Sequence, residues 1–317
     1  MIVETIYQPV QPQMAMVEDK ILEVANEAPQ DLVDQLTYVL KNGGKRLRPA
    51  LTLLSGKFYQ YNVDLLLYTA AAIEVLHTAT LVHDDTVDEA NLRRGRLSLH
   101  CLWGNSNAVL LGDYLFAASA RMTAETGNLR VIKLFSDTLM AICCGELQES
   151  LNPFNKSRDH YLQAIGNKTA SLIAAATESG AILSEAPEEV IQALKEYGYD
   201  LGMAFQIVDD ILDFTGEKET LGKPVASDLA RGIFTLPVIM MMERPESNGI
   251  GDLMGQNFDE GADKLIGMIR DSSVIEECYQ VVHAFCDRAR SALDPLPRNT
   301  AYESLHQLAN FVTERNR

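Results

Sequence analysis

The stretch Leu65 to Asp85, LLLYTAAAIEVLHTATLVHDD, decides the fold. Its apolar residues recur at three- and four-residue spacing and no part alternates strictly, which predicts helix rather than strand. The run Asn107 to Glu125, NAVLLGDYLFAASARMTAE, reads the same way. Pro49 and Pro153 bracket a long proline-free stretch rich in Ala, Leu, Met and Glu, a composition that favours helix. No segment reads as a convincing strand. The chain is expected to be all-α, a single large helical bundle.

Outward from that core, turn-type clusters mark the breaks: Asn42 to Gly44, Arg93 to Gly95, Asn152 to Asn155, Glu185 to Glu189, Thr215 to Pro224 and Arg244 to Gly251. All have ordinary loop length, and none resembles an interdomain linker. Residues 1–15 carry two prolines and no periodicity, so they are expected to be loose, with one domain over residues 16–317. The run Met240 to Met242 reads as core filling.

The 317 residues include 44 acidic and 27 basic side chains, a formal charge of −17. That charge excludes a general nucleic-acid or anionic-lipid surface, so an anionic substrate must be met by a local basic cluster. No apolar run is read as reaching the ~18 residues of a bilayer span, and the start lacks a signal-peptide pattern. A soluble cytoplasmic protein is expected. The five cysteines (Cys101, Cys143, Cys144, Cys278, Cys286) form no CxxC pair and are expected to be buried thiols.

Two aspartate triads carry the chemistry. Asp84, Asp85 and Asp88 lie in LVHDDTVDEANLRRG, and Asp209, Asp210 and Asp213 in GMAFQIVDDILDF. Both read DDxxD, which on a helix stacks the first and third carboxylates on one face with the middle one beside them. Like charges at that spacing repel unless something positive is bound. Oxygen-only donors suit Mg²⁺, completed by water and substrate phosphate. Each triad follows a strongly apolar helical pattern, which a merely solvated acidic face does not normally do. The reading is two facing Mg²⁺-carboxylate clusters holding a diphosphate.

Basic residues stand where such a ligand would need them. Arg93 and Arg94 follow the first triad, and Gly95 is expected to stop its helix. Lys45 and Arg48 lie in NGGKRLRPAL, on a loop expected to feed a helix beginning at Pro49. His77 is two turns before Asp84, and Gln206 is on the carboxylate face before Asp209. Lys168 and Thr169 in IGNKTASLIAA, and Lys223 in LGKPVASDL, are unremarkable individually.

From GGKRLRP through LVHDDTVDEANLRRG, GNKTASL and FQIVDDILD to GKPVASDLARGIFTLP, the chain resembles the trans-isoprenyl diphosphate synthase, or polyprenyl synthetase, family. The resemblance implies an isoprenoid-synthase-type bundle with a central substrate cavity. It implies Mg²⁺, roughly three ions, held by Asp84, Asp85, Asp88, Asp209, Asp210 and Asp213 around an allylic diphosphate. Arg93, Lys168, Thr169, Gln206 and Lys223 would hold that diphosphate, and Lys45, Arg48, His77 and Arg94 would hold isopentenyl diphosphate. Asp228 matches a polar residue behind the second cluster. One departure stands at Ile233, where many short-chain members carry lysine.

The implied reaction is head-to-tail addition of isopentenyl diphosphate to an allylic diphosphate, giving an all-trans polyprenyl diphosphate. Leu76, Ala79 and Thr80 match the family's chain-length floor. Ala79 and Thr80 are small and Leu76 only medium-sized, so a long product, hexaprenyl to decaprenyl, is expected over farnesyl or geranylgeranyl. A homodimer with transient membrane contact at product release is implied. A terpene cyclase would lack the isopentenyl site and the intact DDILD. A non-catalytic subunit of a heteromeric synthase would usually lack one triad.

Overall fold

The computed structural model describes residues 5–215 and 226–314. The helices are α1 Gln11–Asn26, α2 Gln30–Lys41, α3 Leu47–Ser55, α4 Val63–Val87, α5 Leu99–Trp103, α6 Asn105–Ala124, α7 Leu129–Leu151, α8 Arg158–Ile165, α9 Ser171–Leu183, α10 Glu188–Thr215, α11 Ser227–Ala230, α12 Leu236–Met242, α13 Ile250–Gln256, α14 Phe258–Arg270, α15 Val274–Ala292 and α16 Thr300–Glu314. The all-α expectation holds apart from one small hairpin, β1 Leu92–Arg93 with β2 Arg96–Leu97.

By packing, the chain divides into two compact units. One comprises Met1–Leu139, Leu172–Gly198 and Ala292–Leu308, and the other Met140–Ser171, Tyr199–Ser291 and Ala309–Arg317. Each is assembled from separated stretches, so no linker composition marks the division in the sequence.

In the first unit α4 is the central helix. It packs against α6, α1 and α3, and Leu66, Ala70, Ile73, Leu76 and Ala79 along it are buried. A helix apolar on all sides must be surrounded. The sequence reading that no segment is apolar and long enough to cross a bilayer fails for α4 by length and composition. However, 78% of its most apolar window is buried inside the protein. Asn62 starts it, its side chain accepting from the Leu65 amide at 3.3 Å. Tyr197 is fully buried in the same unit, donating to the Leu305 carbonyl at 2.7 Å.

Residues 5–15 are not loose. Ile6, Tyr7 and Val10 are buried, a 3-10 turn spans Gln8–Val10, and α1 follows at Gln11. The two prolines that suggested disorder, Pro9 and Pro12, each occupy a first-turn position where no amide hydrogen is required.

In the second unit α12 packs against α8 and α14, and α13 against α14. Phe214 is buried near the end of α10, and its carbonyl accepts from Arg270 Nε at 3.0 Å. Cys278 and Cys286 are buried as expected, but Cys101, Cys143 and Cys144 are exposed, on helix faces that point to solvent.

Close packing of α9 on α3 gives a stability test. A Cβ at Gly180 would stand 2.3 Å from the Thr52 carbonyl oxygen and 2.9 Å from Ser55 Cβ. Gly180→Ala should therefore destabilise the protein by about 1–3 kcal/mol, read as a lower urea midpoint; an unchanged midpoint would show that the helices separate without cost.

Candidate active site

Both triads sit at the C-terminal ends of long helices, α4 of 25 residues and α10 of 28, and neither helix has a basic residue in its last turn. The helix dipole already places roughly half a negative charge at that end. Acidic side chains there are opposed by the backbone as well as by one another. α4 closes with the Asp88 amide donating to the Asp84 carbonyl at 2.8 Å, which keeps these two residues one turn apart.

The three carboxylates of a triad do not share one environment. Asp84 is half-buried and Asp88 exposed, whereas Asp85 is buried. Arg93 Nε donates to Asp85 Oδ1 at 2.8 Å, and Nη2 donates to the same oxygen. In the second triad Asp209 and Asp213 are half-buried and Asp210 is buried. Asp210 accepts from the Tyr161 hydroxyl at 2.6 Å and from Gln206 Nε2 at 2.9 Å. The physical reason is rotation: one residue along a helix turns the side chain by about 100°, so the middle aspartate leaves the face that the outer two share. The sequence reading of three carboxylates aimed together is corrected to an outer pair and an inward anchor.

Around the first triad, the helix does not continue to Gly95 as expected. It ends at Val87, and the next residues form a hairpin that pairs Leu92 with Leu97 and Arg93 with Arg96. Arg94 and Gly95 are its two turn residues, with φ of 52° and 76°, the left-handed pair that two-residue hairpins require. This short turn sends Arg93 back to Asp85 while Arg94 Nη1 donates to the Asn42 carbonyl at 2.6 Å. The NGGKR loop thereby meets the hairpin. α3 begins at Leu47 rather than Pro49, so Arg48 lies in its first turn, where a following proline still fits. Lys45 is exposed and Arg48 half-buried.

His77 lies within electrostatic range of these arginines. Burial pushes its pKa well below the usual value, and the positive charges of Arg48, Arg94, Arg93 and Arg46 push it further. The ring is therefore neutral at physiological pH, an uncharged group among guanidinium ions. Thr80 donates to the His77 carbonyl at 2.8 Å, and Leu76 and Ala79 are fully buried on the same helix.

Around the second triad, Gly166–Ala170 forms a π-helical turn carrying Lys168 and Thr169. Such turns re-aim side chains locally and recur at functional sites. Lys168 Nζ lies 2.8 Å from Glu149 and 3.0 Å from Glu146. Burial alone would lower its pKa, but the two carboxylates outweigh that and hold it above the usual value. Thr169 donates to Gln206 Oε1 at 2.7 Å, so Thr169, Gln206, Asp210 and Tyr161 form one continuous network. Burial first, and then the charge of Asp228, pushes the Asp210 pKa well above the carboxylate range. Asp228 itself accepts from Arg231 Nη2 at 2.7 Å. A cavity of about 50 Å³ is bounded by Tyr161, Lys168, Asp210, Asp228, Arg231 and Ile233.

A family model described as polyprenyl synthetase matches residues 29–268. The chain belongs to the polyprenyl synthetase family. It is 38% identical over 306 residues to heptaprenyl diphosphate synthase component 2 of Geobacillus stearothermophilus, covering 96% of each chain. A polyprenyl synthase from Caulobacter crescentus CB15, complexed with calcium and isoprenyl diphosphate, is similar with a TM-score of 0.92 and 32% identity, covering 99% of this chain and 98% of that one. A decaprenyl diphosphate synthase from Rhodobacter capsulatus gives 0.91 and 35%, covering 99% of each.

For a polyprenyl synthetase the donor set is chemically apt. Among the described residues no group of three or more His, Cys, Asp or Glu side chains forms a ready metal cage. Two oxygen donors one turn apart nonetheless fit a hard divalent ion that keeps waters and takes phosphate oxygens. Lys223 lies outside the described residues. Tyr161, Glu146, Glu149 and Arg231 were not singled out in the sequence. Only the spacing of Glu146 and Glu149, three apart on α7, was a visible signal.

The neutral state of His77 gives a pH test with a defined sign. A ring whose folded pKa is depressed contributes stability above its ordinary value of 6.5 and loses it as pH falls. Between pH 7 and pH 5, the wild type should lose stability relative to His77→Gln, by up to about 1.4 kcal/mol per pH unit below that value. Urea midpoints of the two proteins that stay parallel across this range would contradict it.

Proposed function

We propose that this chain is a polyprenyl diphosphate synthase, adding isopentenyl diphosphate head-to-tail to an allylic diphosphate to make a long all-trans product. The observation that carries the reading is the pair of DDxxD helix ends, each with an outward carboxylate pair, on a chain of this family. Asp84, Asp88, Asp209 and Asp213 would hold divalent ions, Mg²⁺ and about three in number. Asp85 and Asp210 act as the anchors that fix those helix ends. The family resemblance implies six direct ligands; four are proposed here, with Asp85 and Asp210 as anchors.

When bound, the ions act as Lewis acids on phosphate oxygens and so make diphosphate a competent leaving group. The chain's own residues do the rest. Arg93 bridges Asp85 and the departing diphosphate, and Lys168 and Lys223 add positive charge toward it. Thr169 and Gln206 supply uncharged dipoles beside the developing allylic cation. Lys45, Arg48, Arg94 and neutral His77 hold the second diphosphate so that the isopentenyl double bond faces that cation. Carbon–carbon bond formation and loss of one proton complete the addition, the released diphosphate being the base. Positioning and fixed charge account for the rate, with no covalent enzyme intermediate.

A long product follows from the small residues at the floor positions, Ala79 and Thr80, above Leu76. The enzyme is proposed to act in the cytoplasm as a homodimer, touching membrane only to hand over product. A second reading is favoured by one finding, the similarity to a component 2 protein: the chain would then work with a different subunit.

Purified chain alone, given farnesyl diphosphate, labelled isopentenyl diphosphate and Mg²⁺, should release diphosphate and make hexaprenyl to decaprenyl product. Chelation should abolish this, and Asp84→Asn should slow it on the order of 100-fold. Absence of transfer with every allylic primer, with or without a partner subunit, would overturn the reading. Ala79→Tyr should shorten the product while transfer continues. An unchanged length distribution in an active variant would remove the floor from these positions.

A further inference from the structure

Of the three basic residues in NGGKRLRP, the reaction above leaves one unused. Arg46 stands between Lys45 and Leu47, and unlike its exposed neighbour Lys45 it is buried, with 8% exposure. Its guanidinium is held from three helices. Nε donates to Glu18 Oε1 and Nη2 to Glu18 Oε2 at 2.9 Å on α1, Nη1 donates to Glu74 Oε1 at 2.9 Å on α4, and Nη2 donates to the Leu40 carbonyl at 2.8 Å on α2. Charge-assisted, forked contacts of this kind fix direction as well as energy.

The backbone shows what the clamp holds. Arg46 has φ 50° and forms the N-cap of α3, a left-handed conformation that costs a residue other than glycine about 1–3 kcal/mol unless its surroundings impose it. Its side chain folds back under its own loop. A Cβ at Gly43 would meet Arg46 Cζ at 2.1 Å, and one at Gly44 would meet Arg94 Nη2 at 2.8 Å. The glycine pair therefore lies between two arginines, Arg46 on the inside and Arg94 on the other side. A side chain at Gly43 would displace the clamped Arg46 guanidinium, and one at Gly44 would push the Arg94 guanidinium aside.

We propose that Arg46 is a positioning residue for isopentenyl diphosphate: its buried clamp to Glu18 and Glu74 fixes the loop so that Lys45 and Arg48 grip the diphosphate together with Arg94. Glu18 and Glu74 offset its charge, so it acts through its neighbours and not by touching substrate. This inference rests on the reaction proposed above and assigns a role to three residues outside the binding set, Arg46, Glu18 and Glu74.

The test is a split of kinetic constants. Lysine keeps the charge at 46 but lacks the fork. Arg46→Lys should raise KM for isopentenyl diphosphate about ten-fold, with KM for farnesyl diphosphate and kcat each within about two-fold. Glu18→Gln removes one arm of the clamp at a side chain that is 43% exposed, and should produce the same selective rise, smaller in size. The two changes together should cost less than the product of their separate effects, since they break one contact. If Arg46→Lys does not fold, Glu18→Gln decides alone. Equal rises in both Michaelis constants, or no rise in either, would overturn the role of Arg46. A wild type that transfers no isopentenyl unit would instead overturn the proposed reaction, and the two failures are distinguishable.

Discussion

Negative charge at the negative ends of two helices is the constraint on which this structure depends. A helix terminates more stably with cations near its last carbonyls, yet α4 and α10 end with aspartate triads and no basic residue in the final turn. The protein meets part of this cost internally. Arg93 neutralises Asp85, and Tyr161 with Gln206 satisfies Asp210, so one carboxylate of each triad is accounted for by the fold. The outer pairs are what a divalent ion and a diphosphate would answer.

The same division of labour recurs among the basic residues. Arg46 is spent on the scaffold while Lys45 and Arg48 flank it. Lys168 is gripped by Glu146 and Glu149, so in this state its charge is balanced, and it would have to exchange partners to meet a phosphate. A net charge of −17 makes such local balancing necessary. An anion approaches this surface favourably only where cations have been gathered and held.

Much of this was legible in the sequence, for reasons that can be named. Three- and four-residue spacing across Leu65–Asp85 foretold α4, and the repeated DDxxD pointed to the helix ends. Contacts between distant stretches were not legible. Nothing in FQIVDDILD says that Tyr161, from 49 positions away, would bond Asp210 and take it off the shared face. The pair Arg94–Gly95 read as a helix stop because glycine serves both roles; the left-handed φ at Arg94, which makes it a hairpin turn instead, depends on where α4 stops. Prolines 9 and 12 suggested disorder, although in a first helical turn they are compatible with order. The packing division into two units was invisible because each unit draws on separated segments.

The most direct test of the central claim is calorimetric titration of Mg²⁺ into the protein with and without inorganic pyrophosphate, compared with the Asp84→Asn, Asp209→Asn double variant. The account predicts weak binding of the ion alone, binding at least about ten-fold tighter when pyrophosphate is present, and loss of that gain in the variant. Identical titrations for wild type and variant would contradict it.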